Sequence, residues 1–251
     1  MPRRWPREEL LLAMSLYCRL PFGKFHQHNP EVIRLAEAIG RTPSAVAMKL
    51  CNLASLDPYH QERDVKGLGN ASNLDREIWA EFHADWEKLA EESGLLLERY
   101  QLPTDIEQPA PPDEDRETET QRTVKVRLVQ QFFRDAVLAS YDTRCCVTGI
   151  SLKSLLVASH ILPWSTHPEH RINPANGLCL NALHDKAFDR GFITLDEDLR
   201  LVLSTELHDA TSNKVLKESF LPFEGQSIQL PEKFRPAGEF LEFHREEVFR
   251  G

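Results

Sequence analysis

Ala158-Ser159-His160-Ile161-Leu162-Pro163-Trp164, followed by Asn173-Pro174-Ala175-Asn176-Gly177-Leu178-Cys179-Leu180-Asn181-Ala182-Leu183-His184 and Phe188-Asp189-Arg190-Gly191, sets a histidine, an asparagine and a second histidine in order along one segment. The run Leu155-Leu156-Val157-Ala158-Ser159-His160 is short and apolar with a valine, so a strand ending on a histidine is expected. A loop rich in Pro, His and Asn follows. A helix is expected from about Leu178 to Asp189, with Gly191 permitting its end. Beyond it a hairpin is expected, Phe192 to Leu195 and Arg200 to Leu203 about a turn at Asp196-Glu197-Asp198.

The order His, Asn, His suits hydrolysis of a phosphodiester. That reaction needs an activated water, a cation on the phosphoryl and leaving oxygens, and donors that hold the backbone in line. A histidine can take the water's proton near neutral pH, and a neutral histidine can ligate a divalent metal. His160, at a strand end, suits the base; His184, on the helix, suits the metal. Asn176 can hydrogen-bond across the loop and fix His160.

At these residues the chain resembles the HNH endonucleases, in the branch with a (Ala/Ser)-His-Ile-x-Pro-Trp box, then Asn-Gly-Leu-x-Leu and His-x-x-x-Phe-Asp-x-Gly. Here the boxes read Ser159 to Trp164, Asn176 to Leu180 and His184 to Gly191. The resemblance reaches upstream through Phe133-Arg134, Tyr141 and Arg144-Cys145 to Thr148-Gly149, covering roughly residues 122–205. It implies a ββα-metal fold with His160 as base, Asn176 as loop organiser, His184 as metal ligand and Arg144 on a phosphate. It also implies a divalent ion, Mg²⁺ or Mn²⁺ first, with Zn²⁺ or Ni²⁺ compatible. Many such enzymes place Asp or His before the base; Ser159 stands there, a poor ligand for a hard cation. Asp189 is the candidate replacement, although i+5 on an ideal helix lies about 140° from His184. The paired Cys-x-x-Cys knuckle of some relatives is missing.

Upstream, Leu10, Met14, Tyr17 and Cys18 make one face of a helix from Arg7 to Leu20, ended by Pro21. Val32, Leu35, Ala36 and Ile39 stripe a second helix that Gly40 stops, and Thr42-Pro43 starts a third with Val46, Leu50, Leu53 and Ala54 inward. Helix, four-residue turn, helix is a helix-turn-helix spacing, so Arg41, Ser44, Lys49 and Asn52 are candidates for DNA contact, against the alternative of a solvated polar face. Leu74 to Glu92 reads as a further helix with Ile78, Phe82, Trp86 and Leu89 inside. A helix from Arg122 to about Tyr141 has Val126, Val129, Phe133 and Val137 inward and a basic face of Lys125, Arg127 and Arg134, of which Lys125 and Arg127 are candidates for DNA.

Residues 101–121 hold four prolines and seven acidic residues, which cannot bury enough surface to offset ordering. They read as an extended linker. The resulting architecture is α+β: a helix-turn-helix-like all-α domain over 1–95, an acidic Pro-rich linker over 96–121 and a nuclease domain with extra helix and hairpin over 122–251.

The net charge of −9 hides a patchy distribution: +3 over residues 1–60, −11 over 61–120, +4 over 121–160 and −5 over 161–251. Local phosphate binding is compatible with that overall sign. Five cysteines form no even framework, and no long apolar run suggests a membrane span, so a cytoplasmic chain with reduced thiols is expected. His167 and His170 read as solvated loop residues and Trp164 as an anchor for the loop. The leading expectation is a metal-dependent DNA endonuclease of bacterial restriction or phage defence. The rivals are a DNA-binding regulator with a decayed nuclease fold and an RNA-directed nuclease. With one site in the chain, double-strand cleavage would need a homodimer or two encounters; the residues name no activating partner.

Overall fold

The computed structural model describes residues 3–62, 70–103 and 117–251, with side chains of the last stretch from residue 126 onward. The chain divides into two compact units, residues 1–136 and 137–251. Among the described residues no helix is long and apolar enough to cross a membrane.

The first unit is helical. It comprises α1 (Arg7–Arg19), α2 (Pro30–Ala38), α3 (Pro43–Ala54), the short α4 (Pro58–Glu62), α5 (Asn73–Ala84) and α6 (Trp86–Arg99). Asn29 and Thr42 cap α2 and α3, each followed by proline at the first helical position, where a missing N–H costs nothing. The helix expected over 74–92 is interrupted. Asp85 leaves helical geometry at φ −149° and caps α6 by accepting from the Lys88 N–H, so α5 and α6 are separate helices. The expected inward residues Ile78, Phe82, Trp86 and Leu89 are buried on both.

The structure corrects the DNA-facing assignment of α3. Lys49 is buried and its ammonium lies 2.9 Å from both carboxylate oxygens of Asp75, with side-chain exposures of 8% and 0%. Asn52 is buried as well. The Arg41 guanidinium pairs with Glu9, donates to the Arg3 and Arg4 carbonyls and sits 4.0 Å from the Trp5 ring centroid. These cations are spent inside the unit; Ser44 alone of the four stays exposed, hydrogen-bonded to Thr42. Helical spacing assigned them outward because α5 and the segment before α1, which cover that face, are distant in sequence. Lys49→Ala is therefore expected to cost about 3–5 kcal/mol of stability by leaving Asp75 charged and unpaired. Urea denaturation reads that loss, and an unchanged midpoint would contradict the buried pair.

The helix α7 (Glu117–Ser140) begins earlier than expected. Val129, Phe133 and Val137 are buried, whereas Val126 is exposed, correcting its inward assignment. Arg127 is exposed and Arg134 half-buried; the side chain of Lys125 lies outside the described residues. Of the linker expected over 96–121, residues 96–99 belong to α6 and 117–121 to α7, while 104–116 lie outside the described residues.

The second unit holds two small antiparallel sheets. β1 (Leu156–His160) pairs with β2 (Gly177–Asn181) in the register Ser159↔Leu178 and His160↔Gly177. Residues 178–181 are thus strand, not helix: β2 lies wholly buried, and α8 (Ala182–Asp189) starts only after Asn181, whose side chain accepts from the Leu183 and His184 N–H groups. β3 (Ile193–Leu195) and β4 (Leu201–Leu203) form the expected hairpin. After it come α9 (Thr205–Ala210), α10 (Lys214–Phe220) and α11 (Gly238–Phe243), the last running into a wide turn over His244–Val248. Gly191 ends α8 at φ +71°, and a Cβ there would meet the Val248 carbonyl oxygen at 2.0 Å. Only glycine lets the C-terminal segment close on α8.

Candidate active site

β1, the loop after it and one face of α8 form a cleft of about 610 Å³. Ser159, His160, Trp164, Asp185, Asp189 and Lys186 are among its walls, with Arg190 and His244 at its edges. Each residue's part follows from where the local fold puts it.

His160 is half-buried at the end of β1, and its Nε2 lies 2.7 Å from the Arg171 carbonyl oxygen. A carbonyl only accepts, so Nε2 carries the proton and the neutral ring keeps its lone pair on Nδ1. Burial pushes the imidazole pKa below its ordinary value, opposed by the Arg171 carbonyl and by the charge of Asp189. The ring is therefore neutral at pH 7, the form a general base needs.

Asn176 is buried and ties the loop shut. Its Oδ1 accepts from the Leu162 N–H at 2.8 Å, its Nδ2 donates to the His170 carbonyl at 3.1 Å, and its own carbonyl accepts from the Ile161 N–H. These bonds brace the residues on both sides of the turn that follows His160.

His184 is different. It lies 1% exposed, its Nδ1 accepting from Asn181 Nδ2 at 2.8 Å, with its ring 4.7 Å from that of Phe220. Burial holds its pKa down to about 4, slightly opposed by the Ser219 backbone. Among the described residues its buried Nε2 has no partner at good hydrogen-bond geometry, and the ring expected as a metal ligand is not among the walls of the cleft. The reason is the phase of the helix: beginning at Ala182, α8 turns His184, Ala187 and Phe188 inward. One residue on, about 100° round, Asp185 faces the cleft, and Asp189 is its i+4 neighbour on the same face.

Asp185 is the site residue that the sequence boxes passed over. The signal for it was the i, i+4 spacing of the two aspartates, which share a face whatever the phase. Burial raises the pKa of Asp185, and the neighbouring Asp189 charge raises it further, while the Ser159 hydroxyl acts against both. Burial also raises Asp189, with Lys186, His160 and Arg190 opposing it. Two carboxylates thus face one space under mutual repulsion. Among the described residues the buried Ser159 hydroxyl meets no partner at good hydrogen-bond geometry. Among the described residues no three His, Cys, Asp or Glu side chains form a ready metal cage. Two carboxylates with a hydroxyl nearby fit a hard cation that keeps water and substrate oxygens as its remaining ligands.

Arg144 lies away from the cleft walls. It is exposed in the turn after α7, with Asp142 at 3.8 Å. Lys186 and Arg190 are the cationic side chains the cleft presents. The ring of His167 packs on Phe243 and that of His170 on Phe240, so these two sit against α11.

His244 fastens the C-terminal segment under the site. Its ring stacks on Phe188 at 3.7 Å, Nε2–H donates to the Phe188 carbonyl at 3.1 Å and Nδ1 accepts from the Thr194 hydroxyl at 2.9 Å. Burial, with a smaller push from Arg245, holds its pKa down to about 4 from an ordinary 6.5, the Phe188 carbonyl opposing. The folded chain thus binds fewer protons than the unfolded chain between those values. The stability His244 contributes is complete above pH 6.5 and is lost progressively as pH falls to about 4. Thermal melts from pH 7 to 4 should fall across that window, and His244→Gln should flatten the fall. An equally steep profile in the variant would refute the assignment.

Residues 145–196 match the family model described as HNH endonuclease, and this bears out the resemblance read from the boxes. Comparison with curated proteins gives no match.

Proposed function

We propose, on the premise that residues 145–196 are those of an HNH endonuclease domain, that the chain is a divalent-metal-dependent endonuclease hydrolysing phosphodiester bonds of DNA. The observation that carries this reading is the tautomer of His160, set by the Arg171 carbonyl and adjoining two cleft-facing aspartates. His160 Nδ1 takes the proton of the attacking water, and the neutral, half-buried ring is ready to do so at pH 7. Asn176 holds the loop that carries the Arg171 carbonyl, so the ring keeps its direction through the step. Lys186 and Arg190 offer charge to the phosphodiester backbone.

Asp185 and Asp189 would hold the divalent ion, Mg²⁺ or Mn²⁺ by the hardness of their oxygens, with Ser159 beside them. Bound there, such an ion neutralises charge on the phosphoryl and leaving oxygens. Its two carboxylates replace the His184 and Asp189 pair expected from the sequence. DNA contact by Arg127 and Lys125 of α7 belongs to the same reading; contact by Arg41 and Lys49 does not, since both are committed to internal ion pairs. That commitment also weakens the alternative of a regulator acting through α3. A restriction or phage-defence setting is the role we attach to this activity.

The test is incubation of the full chain with supercoiled plasmid, and in parallel with labelled RNA, in Mg²⁺ or Mn²⁺ and again with chelator. Metal-dependent nicking or linearisation of DNA is expected. Cleavage of RNA alone would move the substrate, and cleavage undiminished in chelator would remove the metal.

A further inference from the structure

The residue whose carbonyl fixes His160 is itself fixed, through its own side chain. Arg171 Nε donates to the Trp164 carbonyl at 2.7 Å, and its guanidinium lies 5.1 Å from the Trp164 ring centroid. The Trp164 ring in turn meets the His160 ring edge-on, at 5.3 Å between centroids. His160, Trp164 and Arg171 therefore close a small circuit: ring to carbonyl, carbonyl to its own side chain, side chain to indole and peptide, indole back to ring. A peptide in a surface loop keeps its direction only if something holds it; Asn176 holds the preceding His170 carbonyl, and the guanidinium holds residue 171 itself. Among the described residues no carboxylate pairs with Arg171, and its side chain is not a wall of the cleft. A guanidinium placed for substrate would stand in the cleft; one placed for charge balance would face an acid.

From this circuit we infer that Arg171 is a positioning residue for the base, acting through its own carbonyl to keep the His160 ring in the Nε2–H tautomer and in one orientation. The inference rests on the reading of His160 as the general base. Loss of the side chain frees the 171 peptide to rotate, and the imidazole then populates the Nδ1–H form, whose protonated face cannot accept from water. A reacting group misplaced by about 1 Å can cost on the order of 10²-fold in rate without weakening substrate binding.

Two measurements on the full chain test it. The first needs no activity: long-range ¹H–¹⁵N spectra of histidine-labelled protein at pH 8, with the His160 signal identified by its absence in His160→Gln. The native chain should show His160 as a single Nε2–H tautomer, and Arg171→Ala a mixture with the Nδ1–H form. The second is steady-state cleavage: Arg171→Ala should lower kcat about 10- to 100-fold with KM within about 3-fold, and Arg171→Lys, which can still donate to the Trp164 carbonyl, should recover part of it. An unshifted tautomer in Arg171→Ala overturns the inference, as does a loss confined to KM, which would mark a phosphate contact. If Arg171→Ala does not fold, the same two readouts on Arg171→Met, which keeps the length of the side chain and loses the donor, decide, with native tautomer and full kcat against the inference. A native chain that cleaves no nucleic acid would end the nuclease reading, while the tautomer comparison would still decide this one.

Discussion

His160→Ala should lower metal-dependent cleavage at least about 10²-fold, the lower end for loss of a general base, while leaving the fold intact. The ring is half-buried, and its Nε2–H donates to a loop carbonyl. Its removal leaves the buried strand pair β1 and β2 and the helix α8 untouched. The loss should appear in kcat, since the ring acts on the water rather than on the bound strand. Matched circular dichroism and melting of the variant separate chemistry from folding. Full activity in folded His160→Ala would end the proposed mechanism.

The second large effect separates the two candidate metal sets. Asp185→Asn or Asp189→Asn should leave the metal-free protein as stable as the native chain or more so. Each carboxylate is held above its ordinary pKa in the folded state, so its charge at pH 7 disfavours folding and an amide relieves it. The same variants should lose the rise in melting temperature that Mg²⁺ or Mn²⁺ gives the native chain. A ligand at 100 times its Kd contributes about 2.7 kcal/mol of stability, which a melting curve resolves easily. His184→Asn should do the reverse, lowering the starting stability because its buried ring packs on Phe220, and keeping the rise. A rise preserved in Asp185→Asn and lost in His184→Asn would restore His184 as the ligand.

Local patterns carried much of this fold. Thr42-Pro43 announced a helix start, Gly40 and Gly191 announced stops, and the hairpin of β3 and β4 followed its turn residues. The boxes around His160, Asn176 and Gly191 point to the candidate site because they are tied to short-range geometry: a strand end, a braced loop and a left-handed turn. What failed was phase and partner. Leu178 to Leu180 are apolar in strand and in helix alike, so only pairing with β1 reveals where β2 ends and α8 begins. That boundary fixes which of His184 and Asp185 meets the cleft.

Short-range patterns in the sequence suffice for a histidine at a strand end, a loop after it and an acidic helix beyond, since each depends on neighbours a few residues away. Which charged groups remain available for chemistry is set by packing. Lys49 and Arg41 are consumed by Asp75 and Glu9, and His184 packs against Asn181 and Phe220, while Asp185 and Asp189 stand one turn apart on the face of α8 that lines the cleft. The physical reason is that a charge or ring is assigned its task by what lies within a few ångströms of it in space, and those neighbours are set by packing between distant segments.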